Sequence, residues 1–308
     1  MSIQNKIPVT IITGFLGAGK TTFINFLLKT NPDIQFALVE NEFGAVPIDT
    51  KLIKGVDASQ MFELKQGCIC CTISDEYELV LKELAERFPN VDHLLIETTG
   101  IADPAPVIQP FFADEDLKAL YEYNGAICLV DALNFENLPE EEMAFKQLTI
   151  ADLILLNKTE NLDEKKQEEY GTKMNKLAPL AKIRSTSFGE AKELNLNGLK
   201  QHSFNAWSFV SYKSNHALVQ TKTLSFSAPL KRADFLYWLE YTLDIYKSKI
   251  YRCKGLVCFQ NEPFEYILQG VGGRFELEEG DLIMDSPESH IVFIGKLDGL
   301  ALDFVSKI

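Results

Sequence analysis

Ile7-Pro-Val-Thr-Ile-Ile-Thr13 is a β-branched, mostly apolar run without alternation, the pattern of a strand buried on both faces. Similar runs recur at Ile34–Glu40, Val91–Glu97, Ala126–Asp131, Ala151–Leu156 and Leu180–Thr186, and Met61–Lys65 reads as a shorter strand. Between them the apolar positions move to helical spacing. Helices are expected after Thr21 as far as Leu28, over Ser74–Phe88 with acids in its first turn and Pro89 as its stop, from Val107, over Glu140–Thr149 and over Asp163–Leu177. Strands alternating with helices over about 190 residues predict an α/β fold with a doubly wound, mostly parallel sheet.

The periodicity fades from Ser187 to Lys222, where Asn, Ser and Gly recur, so a domain boundary is expected there: a first domain over 1–190, a linking region over 191–222 and a second domain over 223–308. The second domain reads differently. Leu224-Ser-Phe-Ser alternates as a strand, Ala233–Tyr246 is an amphipathic helix, and Tyr251–Phe259, Phe264–Val271 and Ile291–Ile294 are short strands separated by turn residues such as Gly272-Gly273. A small α+β domain with an antiparallel sheet and an aromatic core is expected.

The end of the first strand carries the clearest chemistry. Gly14-Phe-Leu-Gly-Ala-Gly-Lys20-Thr21 fits G-x-x-x-x-G-K-[ST], placed as that motif requires between a strand and a helix. Glycines let backbone N–H groups close around phosphate oxygens, Lys20 reaches the outer phosphates and the Thr21 hydroxyl can ligate Mg²⁺. Gly17, Ala18, Gly19, Lys20, Thr21 and Thr22 are therefore the expected phosphate cradle, with the helix N-terminus adding its dipole. Later strands end in further candidates. Glu40, Glu42 and Asp49 follow the second strand and could contact Mg²⁺, water or another metal. Glu97-Thr-Thr-Gly100 follows a core strand: Glu97 could hold the Mg²⁺ shell or its water, and the Gly100 N–H could sense a γ-phosphate. Asn157-Lys158-Thr159-Glu160 ends the strand from Ala151. It resembles the N-K-x-D of guanine-specific proteins, with Glu160 keeping the carboxylate on a longer arm, so GTP is the expected nucleotide.

The 308 residues hold 30 Lys and Arg against 44 Asp and Glu, a net charge of −14, with no basic cluster, and this argues against nucleic acid as a partner. No apolar run approaches a membrane span, and the first strand begins without a leader, so a cytoplasmic protein with no membrane association is expected. That compartment favours reduced thiols among the six cysteines. Cys128 and Cys258 sit singly in apolar runs and are expected in the core. Cys68, Cys70 and Cys71 are different: three soft thiolates within four residues suit Zn²⁺ or another thiophilic ion, or else form a packed or redox-sensing cluster. No second C-x₂-C or paired histidine closes the set, and His93, His202, His216 and His290 are scattered. An incomplete ligand set suits transfer of a metal.

Taken in order, Gly14–Thr22, Glu40-Asn-Glu-Phe-Gly44, Gly67-Cys-Ile-Cys-Cys71 and Glu97-Thr-Thr-Gly-Ile-Ala-Asp-Pro104 resemble the CobW-like family of P-loop GTPases, nearest its YjiA-type branch. Gly255-Leu-Val-Cys-Phe and Leu268–Arg274 resemble that family's C-terminal domain. The resemblance implies a slow GTPase whose nucleotide state gates delivery of a metal, most often zinc and in some members cobalt, to a client metalloprotein. It implies Lys20 and Thr21 on phosphates and Mg²⁺, Glu97 in the second switch, Cys68, Cys70 and Cys71 on the metal with Glu40 as a further ligand, and pairing of two chains when GTP is bound. Ala45 stands where many relatives have an acid, and no His-rich tract is present. The rival readings are a P-loop kinase or ligase acting on a small molecule, and a nucleotide-binding metal or redox sensor without turnover.

Overall fold

The structure is a computed structural model that describes residues 6–41, 49–52, 62–63, 73–137, 142–199, 219–283 and 287–304. The chain divides into two compact units, Met1–Trp207 and Ser208–Ile308.

The first unit is built on an eight-stranded sheet in the order β4-β3-β2-β5-β1-β6-β7-β8. Its strands are β1 (Ile7–Gly14), β2 (Phe36–Asn41), β3 (Asp49–Leu52), β4 (Phe62–Glu63), β5 (His93–Thr98), β6 (Tyr121–Asp131), β7 (Leu153–Asn157) and β8 (Lys182–Ser185). β2, β5, β1, β6, β7 and β8 run parallel, while β3 and β4 join antiparallel at one edge. The expected α/β class is therefore correct. β1 lies centrally, and Val9, Ile11 and Ile12 are fully buried, as an unalternating run should be. Helix α1 (Lys20–Thr30) covers one face, packing Phe23, Ile24 and Leu27 against Ile12, Leu129 and Leu155.

Between β4 and β5 runs α2 (Ile73–Arg87). The single helical stretch expected from Val107 is instead three short helices: α3 (Ala105–Ile108), α4 (Pro110–Ala113) and α5 (Glu115–Leu120). Pro110 opens α4, and Asp114 starts α5 by accepting from the N–H groups of Asp116 and Leu117. After β6 come α6 (Glu142–Ile150) and, after β7, α7 (Glu164–Leu177), capped by Asp163. Past β8 the chain stays on this unit: Ala191, Leu196 and Leu199 enter its core, and Asn124 binds the Leu196 carbonyl at 2.6 Å and the Gly198 N–H at 3.1 Å.

The second unit is a five-stranded antiparallel sheet, β12-β11-β10-β13-β9, with α8 (Arg232–Ile245) on one face. Its strands are β9 (Gln220–Phe226), β10 (Ile250–Cys258), β11 (Phe264–Val271), β12 (Arg274–Leu282) and β13 (Ser289–Gly295). Phe235, Leu239 and Leu243 of α8 meet Val257, Leu268, Ile291 and Phe293. The aromatic core expected here is present, but Tyr237 and Tyr241 stack on each other at the surface. Cys128, Cys253 and Cys258 are all buried free thiols.

Candidate functional site

The phosphate-loop motif leaves the C-terminal end of β1 in a conformation that only its glycines permit. Gly14, Gly17 and Gly19 have φ of 134°, 77° and 99°. α1 begins directly at Lys20 with no side-chain cap and no acid in its first turn, so its leading N–H groups are left for a ligand. Lys20 is largely buried, and its ammonium donates to the Gly14 carbonyl at 2.9 Å. Burial lowers its pKa, and the nearby Glu97 charge works in the opposite direction.

A cavity of about 550 Å³ opens over this loop, lined by Gly17, Gly19, Lys20, Thr21, Thr22, Glu97, Thr99 and Gly100 among others. The strand-end acid and the phosphate loop, about 80 residues apart in sequence, thus meet because β1 and β5 are parallel neighbours in which Ile12 pairs with Glu97. Gly100 packs directly on the phosphate loop: a Cβ there would lie 2.6 Å from the Leu16 nitrogen. The Thr99 hydroxyl is buried without a hydrogen-bond partner. An orphaned hydroxyl, a free helix N-terminus and the hard oxygens of Thr21 and Glu97 around one cavity fit a nucleoside triphosphate with Mg²⁺.

The loop after β5 is also held from the far side by residues that sequence reasoning missed. Gln147 of α6 donates its Nε2 to the carbonyls of Gly100 and Ala102 at 3.2 and 3.0 Å, and Lys146 binds Asp103 at 2.7 Å. A lone glutamine inside an amphipathic helix carries no signal in a sequence.

At the end of β7, Asn157 is buried and bridges two loops: its Nδ2 donates to the Ala18 carbonyl and its Oδ1 accepts from the Gly189 N–H, both at 2.9 Å. Lys158 has left-handed backbone, φ 63° and ψ 39°, and Glu160 is exposed in the following turn. The structure therefore places Asn157 against the phosphate loop and Lys158 and Glu160 beyond it.

Glu40 pairs by backbone with Glu97 across β2 and β5, and the β2–β3 ladder that joins Val39 to Thr50 runs toward Glu40 and Asp49; the side chains of Glu40 and Asp49 lie outside the described residues. Cys68, Cys70 and Cys71 also lie outside them, in the connection from β4 to α2. Among the described residues no group of three or more His, Cys, Asp or Glu side chains could hold a metal ion, and no helix is long and apolar enough to cross a membrane. A larger open groove of about 750 Å³ lies between α7 and β8, lined by Glu164, Glu168 and Asn175, and has no anion-binding features.

A phosphate loop on a parallel sheet, with a strand-end acid beside it and Asn-Lys two strands away, defines a P-loop nucleotide-binding protein. Residues 8–185 match the CobW/HypB/UreG nucleotide-binding domain, and residues 219–304 match the cobalamin synthesis protein CobW C-terminal domain. The chain belongs to this CobW/HypB/UreG family and is a P-loop GTPase. It is 34% identical over 307 residues to the zinc chaperone YjiA of Escherichia coli, covering 95% of each chain. It is 30% identical over 321 residues to the zinc-regulated GTPase metalloprotein activator 1 of Schizosaccharomyces pombe, covering 90% of this chain and 78% of that one. The solved structure of Zn(II)-bound YjiA GTPase from E. coli superposes with a TM-score of 0.69 at 26% identity, covering 94% of both chains.

Proposed function

We propose that this GTPase is a metallochaperone that binds zinc through Cys68, Cys70 and Cys71, with Glu40 as a further ligand, and releases it to a client metalloprotein according to the nucleotide bound. The observation that carries the reading is the pairing of Glu40 with Glu97 at adjacent strand ends. One belongs to the expected metal site and the other lines the phosphate cavity, so a shift at either strand end reaches the other. Relatives named as a zinc chaperone and a metalloprotein activator support the cargo and the client.

In this reading the N–H groups of Gly17, Ala18, Gly19, Lys20, Thr21 and Thr22 cradle the phosphates, and Asn157, Lys158 and Glu160 receive guanine. Thr21 and Glu97 would hold Mg²⁺, which would supply charge neutralisation at the outer phosphates. Lys20 exchanges its bond to the Gly14 carbonyl for phosphate oxygens. Asp49 and Glu97 orient the attacking water; its oxygen bonds to the γ-phosphorus as the bond to the bridging oxygen breaks, leaving GDP and inorganic phosphate. The Gly100 N–H follows the γ-phosphate, and the loop to Asp103 carries the change. Coupling must be reciprocal, so a nucleotide that tightens zinc binding is itself bound more tightly by the zinc form.

The test is zinc affinity by competition with a chromogenic chelator, with GTP and Mg²⁺ or with GDP, on the wild type and on the Cys68→Ser/Cys70→Ser/Cys71→Ser variant. About a tenfold difference between nucleotides, or 1.4 kcal/mol of coupling, is expected in the wild type and none in the variant. Equal affinities with both nucleotides would end the gating mechanism. Sedimentation of the same samples tests whether two chains pair under GTP.

A further inference from the structure

Asp131 is the last residue of β6 and pairs in register with Asn157, the last residue of β7. Its side chain is 10% exposed, against 32% for the Lys158 side chain it binds. The carboxylate accepts three hydrogen bonds: from the Leu133 N–H at 2.9 Å, from the Asn134 Nδ2 at 2.9 Å and from the Lys158 ammonium at 2.7 Å. The first two come from the turn that Asp131 itself begins, so the carboxylate is fixed in place independently of the lysine. Burial would raise its pKa, but the Lys158 ammonium and the two N–H donors outweigh that and hold the carboxyl below its usual range.

Lys158 is the residue that needs such an anchor. A lysine stem has four rotatable carbons and samples many rotamers when its head is free in water. Here its backbone is already in the left-handed region, which aims the side chain back toward β6 rather than onward along the turn. With the ammonium pinned to Asp131, the stem is tethered at both ends, by its backbone and by its head, and its rotamers are restricted.

We infer that Asp131 is a positioning residue for the base: it holds the Lys158 ammonium so that the lysine stem forms a wall against one face of the purine ring. The inference rests on the reading that Asn157–Glu160 receive guanine. A wall of methylenes meets the ring's face and is blind to its edge substituents. Asp131 therefore sets affinity for a purine nucleotide in general, while Glu160 is left to distinguish guanine from hypoxanthine at the edge.

The experiment measures equilibrium binding of fluorescently labelled GDP and IDP, with unlabelled tripolyphosphate as competitor, to the full chain and to Asp131→Asn, Lys158→Met and the double variant. Asn at position 131 keeps an oxygen for the Leu133 N–H while removing the charge. Asp131→Asn is expected to weaken GDP and IDP by the same factor, about three- to fivefold, as for loss of a partly exposed ion pair. Tripolyphosphate should bind as before, and the loss in turnover should fall on KM rather than kcat. The double variant should be no weaker than Lys158→Met alone. The inference is overturned if Asp131→Asn binds GDP normally while Lys158→Met does not, or if the two losses multiply. Loss of tripolyphosphate binding in Asp131→Asn would equally overturn it, because Asp131 would then support the fold and not the lysine. If Lys158→Met itself binds GDP normally, an unpinned apolar stem serves the base as well as a pinned one and the inference fails, while the base reading fails only if Glu160→Ala also leaves GDP binding unchanged.

Discussion

Gly14 shows how closely single residues are constrained beside the nucleotide. At φ 134°, a Cβ on it would lie 2.2 Å from the Leu129 carbonyl oxygen, so both the backbone angle and the neighbouring strand exclude a side chain. Gly14→Ala is expected to abolish binding of a fluorescent GDP analogue and to cost at least about 3 kcal/mol in urea unfolding; nucleotide binding at wild-type strength would show that the loop has room to adjust. His93 makes a second prediction at this scale. It is buried beside Phe36 with its Nε2 2.8 Å from the Thr10 hydroxyl, and burial lowers its pKa to about 4. The unfolded chain takes up a proton near pH 6.5 that the native state refuses until about pH 4. Its contribution is therefore complete above about pH 6.5 and lost as pH falls through that window, up to about 3 kcal/mol. His93→Gln should flatten stability between pH 6.5 and 4 in denaturant titrations; an unchanged slope would assign the loss to other groups. The motif glycines were legible because the phosphate chemistry dictates them. His93 was not, because a lone histidine in an apolar run looks like any polar interruption.

At the scale of elements, legibility followed burial. β1, β5 and β7 are buried runs, and each was read within two residues of its observed ends, whereas β6 begins at Tyr121, five residues before the expected Ala126, because Asn124-Gly125 looks like a turn. β12 was missed because Glu276, Glu278, Glu279 and Asp281 give an edge strand the composition of a loop. β3 was missed because Asp49-Thr-Lys-Leu52 has one apolar residue in four. Between Val107 and Leu120 the error was one of continuity: Pro110 and Asp114 are helix starts, and their recurrence divides the stretch. The attachment of α6 to the loop after β5 had no sequence signal and has consequences. Gln147→Met keeps the length of the side chain but leaves the Gly100 and Ala102 carbonyls without their donor, at a local cost of about 1–3 kcal/mol. Hydrogen exchange at amides 99–103 should accelerate while the β6 amides stay protected. Unchanged exchange there would mean that the packing of Gly100 on Leu16 and the Lys146–Asp103 ion pair hold the loop without Gln147.

For the whole molecule, the two units have separate cores, one built on a parallel sheet and one on an antiparallel sheet, so a single two-state unfolding transition is not the expectation. GDP with Mg²⁺ at about a hundred times its Kd should stabilise the Met1–Trp207 unit by about 2.7 kcal/mol, seen as slower hydrogen exchange in β1 and β6. Amides of β10 and β11 report the second unit: protection gained there to the same extent would mean that the units unfold as one. The metal-binding half of the proposal was legible only as a thiol spacing, since Cys68, Cys70 and Cys71 fall outside the described residues.

Asn157 ties the Ala18 carbonyl to the Gly189 N–H through one buried side chain. The phosphate loop and the loop after β8 are thereby welded into one anvil. In the proposed cycle a nucleotide strikes it without deforming it, so arrival of the base is a silent event. The opposite jaw, from Glu97 to Asp103, answers the third phosphate in that proposed cycle, and among the described residues it hangs on the Gln147 and Lys146 side chains, which can let go.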